Sequence, residues 1–499
     1  MTKVTPTSAR TALTHASDQP DVRGAVGALG HPRGAEPSSL RRVLAPRSVA
    51  VVGAGSRHGG TGHEALRALR DYGFGGRLLA VNGSGRPVCG VPTYPSVAAL
   101  PTRVDLLVVA VPPAEIPDVL GSGARVGAQG AVLLGERLAE QDRIQVLRAA
   151  RQHHVRVLGP SCLGVLNAAP AVRLNASLSP ARPPSGGLAL AVQSGALGIA
   201  LLEQAVRDHC GVSTLVSLGQ ELDVSVDELF SYWLDDPATR AIALSPESFG
   251  DPATFASVAR TLGNRKPVLL TGHAQPATAD EEALRSAGVI RTAGIGETFD
   301  TARMLLDQPL PAGNRMAIVG NADGLTRFTA DTARVHGFNI VPLSGPTRAQ
   351  LPIRIGSTRC DNPVGLGVDT PADRLANVVE TIANSNEADI LLLTLVGNRS
   401  NVLAANVAAL APVLDDHAHL TIAAVVIGGR DHLHRLGPAG APVFRGPEEA
   451  VRAVANARDY AAWRLESPQV RRFVVRPVYR GRTVPSRPAR AGRGPRGSS

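Results

Sequence analysis

Residues 48–62 read Ser-Val-Ala-Val-Val-Gly-Ala-Gly-Ser-Arg-His-Gly-Gly-Thr-Gly. A short apolar run is cut off by glycines, and a helical pattern of apolar residues begins shortly afterwards. A buried strand, a glycine loop and a helix in this order are typical of a turn that binds a phosphate at the start of the helix. We therefore expect this stretch to organise the first folding unit and to bind a phosphate-containing ligand.

The composition indicates an α/β protein. A chain of 499 residues that is 44% hydrophobic is long enough for about three domains of ~150 residues each. Because aromatic residues make up only 3% of the chain, the cores must be built mainly from alanine, valine, leucine and isoleucine. Such cores suit parallel strands covered by helices.

The charge is distributed unevenly along the chain. The formal net charge is +10, but nine arginines and no acidic residue lie between residues 471 and 496. We therefore predict a nearly neutral folded body, a disordered leader at 1–38 and a disordered arginine-rich tail at 466–499. Nucleic-acid binding is not expected. Neither of the two lysines, Lys3 and Lys266, stands in a Gly-Lys-Ser/Thr context, which excludes a Walker-type phosphate loop.

The four cysteines are scattered and show no Cys-x-x-Cys spacing. This argues against a disulfide framework and against a structural zinc site, and we predict no metal site. No apolar run approaches the ~20 residues that cross a membrane. The sequence therefore predicts a cytoplasmic protein without a membrane partner.

Alternating strand and helix patterns predict three α/β units. The first, 39–180, reads as a doubly wound, Rossmann-like unit. A proline- and glycine-rich joint at 180–187 precedes a second unit at 186–308, and a third follows at 312–465. The predicted strands are 48–52, 78–81, 106–111, 131–134 and 156–158 in the first unit, 188–192, 214–217, 241–244 and 268–271 in the second, and 316–319, 390–396 and 421–427 in the third.

The glycine loop matches the dinucleotide-binding fingerprint only in part. Gly53 and Gly55 fit the Gly-x-Gly-x-x-Gly pattern, but His58 occupies the third glycine position. A NAD site also needs an acidic residue at the end of the second strand, where this chain has Asn82 followed by Arg86. These residues disfavour NAD and favour a ligand with an additional phosphate on its ribose, such as NADP or coenzyme A (CoA).

A second candidate phosphate site lies at the start of the second unit. Gln193, Ser194 and Gly195 follow a predicted strand and begin a predicted helix. The free N–H groups and the positive dipole end of a helix attract an anion. Ser194 as an ordinary helix cap explains the same residues without any ligand, so both interpretations stay open.

Several longer motifs accompany the glycine loop. They are Leu-Ala-Pro-Arg-Ser-Val-Ala-Val-Val-Gly-Ala-Gly-Ser at 44–56, Asp-Leu-Leu-Val-Val-Ala-Val-Pro-Pro at 105–113, Leu-Gly-Pro-Ser-Cys-Leu-Gly-Val-Leu-Asn at 158–167, Gln-Ser-Gly-Ala-Leu-Gly at 193–198, Val-Ser-Leu-Gly-Gln-Glu-Leu-Asp-Val-Ser at 216–225, Tyr-Trp-Leu-Asp-Asp-Pro-Ala-Thr at 232–239, Ser-Pro-Glu-Ser-Phe-Gly at 245–250 and Ala-Gly-Val-Ile-Arg at 287–291. Together they resemble the NDP-forming acyl-CoA synthetases, the family that includes the α subunit of succinyl-CoA ligase. The likeness spans about residues 40–465.

The resemblance implies a Rossmann-like CoA-binding domain followed by two flavodoxin-like domains of the succinyl-CoA synthetase type. It implies that residues 193–195 begin the helix that cradles a phosphohistidine, and that the carboxylate of Glu247 holds the imidazole. The residues that it places near CoA or an acyl-CoA are Gly53, Gly55, Ser56, Gly59, Asn82, Val111, Pro112, Pro113, Gly159, Pro160 and Ser161.

The chain departs from the family at the expected catalytic loop. Active members carry Ser-His-Thr-Gly-Ala there, whereas residues 271–285 lack this motif and form an interval shorter by roughly a dozen residues. His273 is the only histidine in the interval and the candidate phosphoryl carrier. In the third unit, Asn-Ala-Asp-Gly-Leu-Thr at 321–326 replaces the family's Asn-Ala-Gly-Gly-Pro-Gly, and Asp323 would repel a phosphate.

Two functional hypotheses follow, and both predict an oligomer. The favoured one is a CoA- or acyl-CoA-binding protein of this family that has no autonomous phosphoryl-transfer activity. The alternative is an α-like subunit of an ADP-forming acyl-CoA ligase, of the acetyl-CoA or succinyl-CoA type. That ligase would use His273 and obtain ATP only through a separate ATP-grasp subunit. A third possibility, an NADP-linked oxidoreductase, rests only on the glycine turn.

Overall fold

The structure is a computed structural model. It describes residues 38–246, 252–272, 278–351, 361–399, 403–428 and 433–466. The candidate catalytic residues Glu247 and His273 lie outside these ranges, as do almost all of the predicted leader and the predicted tail. Among the described helices, none is both long enough and apolar enough to cross a membrane.

The first sheet is parallel and has six strands in the order β3-β2-β1-β4-β5-β6. Its strands are β1 Ser48–Val52, β2 Arg77–Val81, β3 Thr93–Tyr94, β4 Leu106–Val109, β5 Gly130–Leu133 and β6 Arg156–Leu158. The associated helices are Ser38–Leu44, Thr61–Tyr72, Ile116–Arg125 and Glu140–Gln152. This strand order is that of the dinucleotide-binding fold, which confirms the predicted Rossmann-like architecture.

Strand β1 shows why the sequence folds in this way. All five of its residues are buried, and successive side chains enter two different cores. Val49 and Val51 belong to one apolar cluster, whereas Ala50 and Val52 belong to another. Since side chains alternate across a strand, an uninterrupted apolar run is needed when both faces of the sheet are covered by helices.

The second sheet has seven strands in the order β13-β12-β11-β9-β10-β7-β8. They are β7 Gly164–Asn167, β8 Leu174–Ser177, β9 Ser185–Val192, β10 Val212–Ser217, β11 Ala241–Ser245, β12 Val268–Thr271 and β13 Val289–Thr292. The helices of this unit are Gly195–Arg207, Val226–Asp235, Pro252–Gly263, Thr278–Ser286 and Ile295–Asp307. Strands β9 to β13 are parallel to one another, whereas β7 is antiparallel to both β10 and β8.

The hairpin of β7 and β8 differs from the predicted division of the chain. The sequence analysis places residues 164–177 in the first unit, but β7 pairs with β10, with Leu166 opposite Leu215. The chain therefore crosses from the first sheet to the second at residues 159–163, before the proline-rich joint. Two short strands without an intervening helix break the strand–helix alternation on which the predicted division depends.

The third sheet has six strands in the order β15-β14-β16-β17-β19-β18. They are β14 Met316–Gly320, β15 Val364–Gly365, β16 Ile390–Val396, β17 Thr421–Ile427, β18 Arg435–Leu436 and β19 Ala441–Phe444. The helices are Asp323–Val335, Gly345–Gln350, Ala372–Asn384, Leu403–Asp416 and Pro447–Glu466. All pairs are parallel except β18 with β19, so this unit is also α/β, as predicted.

Candidate functional site

The glycine turn after β1 is held by two close backbone approaches. Gly53 has φ +88°, and a Cβ atom added to it would lie 2.2 Å from the carbonyl oxygen of Ala110. A Cβ atom on Gly62 would lie 2.3 Å from the carbonyl oxygen of Gly53. Gly62 is therefore the glycine that lets the helix Thr61–Tyr72 pack closely on β1. The standard fingerprint spacing puts His58 at the third position and does not reach Gly62, because the loop is longer than that spacing.

Gly55 forms the open part of the same turn. Its N–H donates to the carbonyl oxygen of Gly53 over 2.9 Å, and no atom lies within 4 Å of a Cβ added to Gly55. Residues 55–59 are exposed in front of the helix Thr61–Tyr72. An exposed glycine beside a helix start permits close approach of a ligand's phosphate to the backbone.

Ser56 and Gly59 are both among these exposed residues, but Gly59 already has an anionic partner. Its N–H donates to Oε1 of Glu64 over 3.0 Å. This hydrogen bond is the main reason that the pKa of Glu64 lies below its ordinary value. The predicted contact of Gly59 with a ligand therefore requires exchange with the protein's own carboxylate.

Asn82 lies where a ribose-binding acid would stand, at the end of β2. Its Nδ2 donates to the carbonyl oxygen of Ala54 over 2.7 Å. Its Oδ1 accepts hydrogen bonds from the N–H groups of Ser84 and Gly85, at 2.9 and 3.1 Å. Asn82 thus ties the loop after β2 to the glycine turn, and its amide is engaged within the protein. Its predicted contact with a ligand stays a prediction.

The loop after β4 lies beside the glycine turn. A Cβ atom on Gly53 would lie 3.1 Å from Cγ1 of Val111, and Pro112 and Pro113 are exposed. The carboxyl ends of β1, β2 and β4 therefore bring Gly53, Asn82 and Val111 together. This edge is the switch point at which ligands bind in open α/β sheets.

The turn at Gly159, Pro160 and Ser161 follows β6, three strands away from β1 in the sheet. At about 4.8 Å between neighbouring strands, this separation is roughly 14 Å. The turn contacts the second unit, because the N–H of Gln220 donates to the carbonyl oxygen of Pro160 over 2.9 Å. Ser161 is exposed. The predicted CoA-binding residues thus form two groups along one edge of the sheet.

The second of these groups, at residues 159–161, lies close to the start of the helix Gly195–Arg207. The next residue along the chain, Cys162, is buried, which raises the pKa of its thiol to about 12 and makes it a poor nucleophile. The N–H of Leu163 donates to Oγ of Ser217 over 2.9 Å. A Cβ atom on Gly195 would lie 3.6 Å from the nitrogen of Leu163. The segment that follows the turn after β6 therefore packs against the beginning of this helix.

Ser194 and Gln193 have structural partners at this helix start. Oγ of Ser194 accepts a hydrogen bond from the N–H of Leu197 over 3.4 Å, as a helix cap does. Nε2 of Gln193 donates to Oε2 of Glu221 over 3.0 Å. The first N–H groups of the helix, including that of Gly195, point out of its beginning by geometry. Both predicted interpretations of residues 193–195, the cap and the anion site, are compatible with these contacts.

The strands that precede the two undescribed catalytic candidates end side by side. β11 and β12 lie next to each other, and β9 is the other neighbour of β11. The N–H of Gln193 donates to the carbonyl oxygen of Ser245, the last residue of β11, over 3.5 Å. All three strands are parallel, so their carboxyl ends meet at one edge.

Comparison with known proteins identifies two of the units. Residues 47–168 match the model of a CoA binding domain, and residues 185–279 match that of a succinyl-CoA ligase like flavodoxin domain. The α subunit of ADP-forming acetate–CoA ligase I from Pyrococcus furiosus is 32% identical over 329 residues, which cover 60% of this chain and 71% of that subunit.

Two further relatives extend the comparison. ADP-forming acetate–CoA ligase I from Archaeoglobus fulgidus is 30% identical over 71% of this chain, which spans about half (55%) of that enzyme's length. The apo structure of acetyl-coenzyme A synthetase 1 from Candidatus Korarchaeum cryptofilum superimposes with a TM-score of 0.78 at 25% identity. That superposition covers 85% of this chain and 98% of the other. The chain therefore belongs to the family of the NDP-forming acyl-CoA synthetases.

Proposed function

We propose that the protein binds CoA or an acyl-CoA thioester and has no autonomous phosphoryl-transfer activity. The observation that carries the proposal is the glycine turn at the switch point of the first sheet. Gly53 and Gly62 permit its close backbone approaches, and Gly55 is exposed within it. The second part of the proposal depends on the interval after β12, where active family members carry the catalytic histidine. Only residues 272–277 separate β12 from the helix Thr278–Ser286. The family's histidine loop has no counterpart in the sequence of this interval.

The two groups of predicted ligand residues suggest how CoA would lie. Its pyrophosphate would occupy the open turn at Gly55, where the start of the helix Thr61–Tyr72 favours an anion. The rest of the molecule would follow the edge of the sheet past Val111 towards Ser161. The reactive thiol end would then approach residues 193–195 in the second unit.

Isothermal titration of the full chain with CoA and with acetyl-CoA tests this proposal. In a Gly55→Phe variant, a large side chain would fill the space left for the phosphates, and we expect the affinity to fall more than tenfold. Because no atom lies within 4 Å of a Cβ on Gly55, the variant should fold. Gly345→Phe is the matched control, since its Cβ position is equally open but lies in the third unit. Absence of CoA binding, or equal affinity in Gly55→Phe, would reject the proposal.

We also propose, as the alternative, an α-like subunit that works with a separate ATP-grasp subunit. The observation that favours it is the alignment with 71% of a relative named as an α subunit. The adjacent carboxyl ends of β9, β11 and β12 give further support, because Gln193, Glu247 and His273 follow these strands. In this version His273 would carry the phosphoryl group, and ATP would bind only to the partner.

Incubation with γ-labelled ATP, CoA, a carboxylic acid and the candidate partner distinguishes the two versions. The alternative predicts an acid-labile phosphate on this chain. The chain is separated from the partner by size before the radioactive label is counted. His273→Ala should abolish that label, whereas His419→Ala, which changes an exposed histidine of the third unit, should retain it. A chain that binds CoA but is never labelled supports the binding function without phosphoryl transfer.

A further inference from the structure

Three side chains with metal-binding atoms converge beside the glycine turn. His58 comes from the loop, and His63 and Glu64 come from the first turn of the helix Thr61–Tyr72. One ligand atom from each lies within 4.8 Å of the ligand atoms of the other two. The centroids of the two imidazole rings are 4.6 Å apart, with the rings edge to face. The prediction of no metal site rests on cysteine spacing and does not consider these three residues.

The ring of His63 is oriented as a metal-binding histidine usually is. The residue is only 5% exposed, and its Nδ1 lies 3.0 Å from the carbonyl oxygen of Gly55. Because a carbonyl oxygen only accepts, Nδ1 must carry the proton in this contact, which leaves the lone pair on Nε2. Donation of one ring N–H to a backbone carbonyl is the arrangement that fixes the tautomer of metal ligands. The neighbour of Nε2 is Sγ of Cys89 at 3.6 Å, and a thiol is only a weak hydrogen-bond partner.

The other two side chains can move towards an ion, although Oε1 of Glu64 also accepts the N–H of Gly59 over 3.0 Å. A tetrahedral zinc ion with nitrogen and oxygen ligands at ~2.0–2.2 Å separates its ligand atoms by roughly 3.4 Å. Because the present separations reach up to 4.8 Å, the cluster must contract by up to roughly 1.4 Å. His58 is exposed on the loop, and the next residue, Gly59, has φ +79°. Glu64 pairs with Arg67, whose side chain is 53% exposed. The carboxylate can therefore exchange this solvated partner for a metal ion at small cost.

We propose that His58, His63 and Glu64 form a binding site for a divalent transition-metal ion, with Zn²⁺ as the best match. Two imidazoles and one carboxylate are a zinc ligand set that leaves the fourth position open. The ion would lie on the Nε2 side of the His63 ring, opposite the carbonyl oxygen of Gly55, where Sγ of Cys89 is 3.6 Å from Nε2. Water or an anion would complete the tetrahedron. The site depends on the three side chains and not on the proposed CoA function.

Titration of the full chain with Co²⁺ in the absence of CoA tests the site. We expect one equivalent of Co²⁺ to give the visible absorption of a tetrahedral complex, and Zn²⁺ to displace it. His58→Ala removes an exposed ligand and should fold, so it should lower the Co²⁺ affinity at least tenfold. Glu64→Gln should do the same. These readouts do not involve CoA, so failure of the metal site and failure of CoA binding are distinguishable.

A control variant accounts for the other histidines. His417 and His419 form a second pair with ring centroids 5.7 Å apart, and His419→Ala should leave the tetrahedral absorption and the affinity unchanged. Absence of tetrahedral absorption at one equivalent would overturn the proposal. Unchanged affinity in both His58→Ala and Glu64→Gln would overturn it as well, as would loss of the absorption in His419→Ala.

Discussion

The carbonyl oxygen of Gly53 lies 2.3 Å from the position that a Cβ atom of Gly62 would occupy. The helix Thr61–Tyr72 can therefore sit on the end of β1 only with glycine at its second position. We predict that Gly62→Ala lowers the free energy of unfolding of the first unit by about 1–3 kcal/mol, because a backbone carbonyl cannot yield as a side chain can. Chemical denaturation followed by far-ultraviolet circular dichroism measures this change.

Gly324→Ala is the matched control for that variant. Gly324 is also the second residue of a helix, Asp323–Val335, but nothing lies within 4 Å of its Cβ position. Alanine is a better helix former than glycine, so this substitution should be neutral or stabilise the protein by about 0.5–1 kcal/mol. Equal effects of the two substitutions would show that close packing does not determine the choice of glycine at position 62.

The sequence predicts most of the sheet framework because buried parallel strands are continuous apolar runs. Strands Ser48–Val52, Arg156–Leu158, Ile390–Val396 and Thr421–Ile427 have the predicted bounds. Strands β3, β15 and β18 are missing from the prediction, because they have two residues each and carry no periodic signal. The four-residue strands β13 and β19 are missing as well. So is the hairpin of β7 and β8, whose place in the second sheet depends on pairing between distant segments.

The sequence predicts the strand, the glycine loop and the helix that form the candidate site, but it does not predict all of their contacts. Gly53 stands out because its positive φ and its close approach to the carbonyl of Ala110 require glycine, whereas the role of Gly62 depends on the length of an irregular loop. The convergence of His58 with His63 depends on the same loop. A motif spaced for a standard turn cannot anticipate either contact, since both follow from the path of the backbone between the strand and the helix.

Arg156 links the first sheet to the second unit through two carboxylates. Its Nε donates to Asp223 over 2.9 Å, and its Nη2 donates to Glu228 over 2.9 Å. Burial disfavours the charged guanidinium, but the two carboxylates more than offset this effect, so the pKa of Arg156 is raised. Asp223, whose side chain is only 8% exposed, also accepts the N–H of Val157 over 2.9 Å. The carboxylate of Asp223 thus holds both the end of β6 and its arginine.

We predict that Asp223→Ala costs about 2–3 kcal/mol of stability, because it leaves the buried N–H of Val157 without this partner, while the guanidinium of Arg156 keeps Glu228. The Tm in differential scanning calorimetry should fall accordingly. Asp331→Ala removes the partner of Arg334 in a pair whose side chains are 75% and 50% exposed, and it should cost less than about 0.5 kcal/mol. Similar losses in the two variants would contradict the structural role assigned to the Arg156 cluster.

Trp463, near the end of the helix Pro447–Glu466, packs on Gly288 of the second unit. A Cβ atom on Gly288 would lie 2.4 Å from the indole ring, and the indole N–H donates to the carbonyl oxygen of Ser286 over 3.1 Å. Gly288 also has φ +74°. We predict that Gly288→Ala destabilises the contact between the second and third units by about 2–3 kcal/mol, from backbone strain and displacement of the ring.

The two contributions at Gly288 can be separated. Gly337→Ala introduces the same backbone strain, with φ +79°, but its nearest neighbour is the flexible end of Arg458 at 3.6 Å. It should therefore cost only about 1 kcal/mol. In a Trp463→Ala background, Gly288→Ala should cost no more than Gly337→Ala. Calorimetry measures the cost in every variant, and tryptophan fluorescence follows the contact only in variants that keep Trp463. An undiminished cost in the Trp463→Ala background would refute the explanation.

Asp300 gives the protein a pH-dependent stability. It lies on the helix Ile295–Asp307, its side chain is 18% exposed, and the nearest cation is Nη1 of Arg303 at 3.8 Å. Burial raises the pKa of Asp300 to about 7, and Glu449 and Asp208 add to this rise while Arg303 and Arg445 oppose it. Between about pH 4 and pH 7 the unfolded chain has lost this proton while the folded chain retains it. The free energy of unfolding therefore falls as the pH rises through this range.

We predict that Asp300→Asn stabilises the protein at pH 8, because the amide is neutral in both states. The stability advantage of Asp300→Asn over the unmodified chain should shrink at pH 5. At that pH Asp300 is protonated in the folded protein, so the unmodified chain is more stable than at pH 8. The expected change between these pH values is on the order of 2 kcal/mol, and calorimetry at both pH values measures it. Asp331→Asn, at an exposed position, should show no such change. An advantage of Asp300→Asn that is independent of pH would mean that packing, and not the charge of Asp300, determines stability at this position.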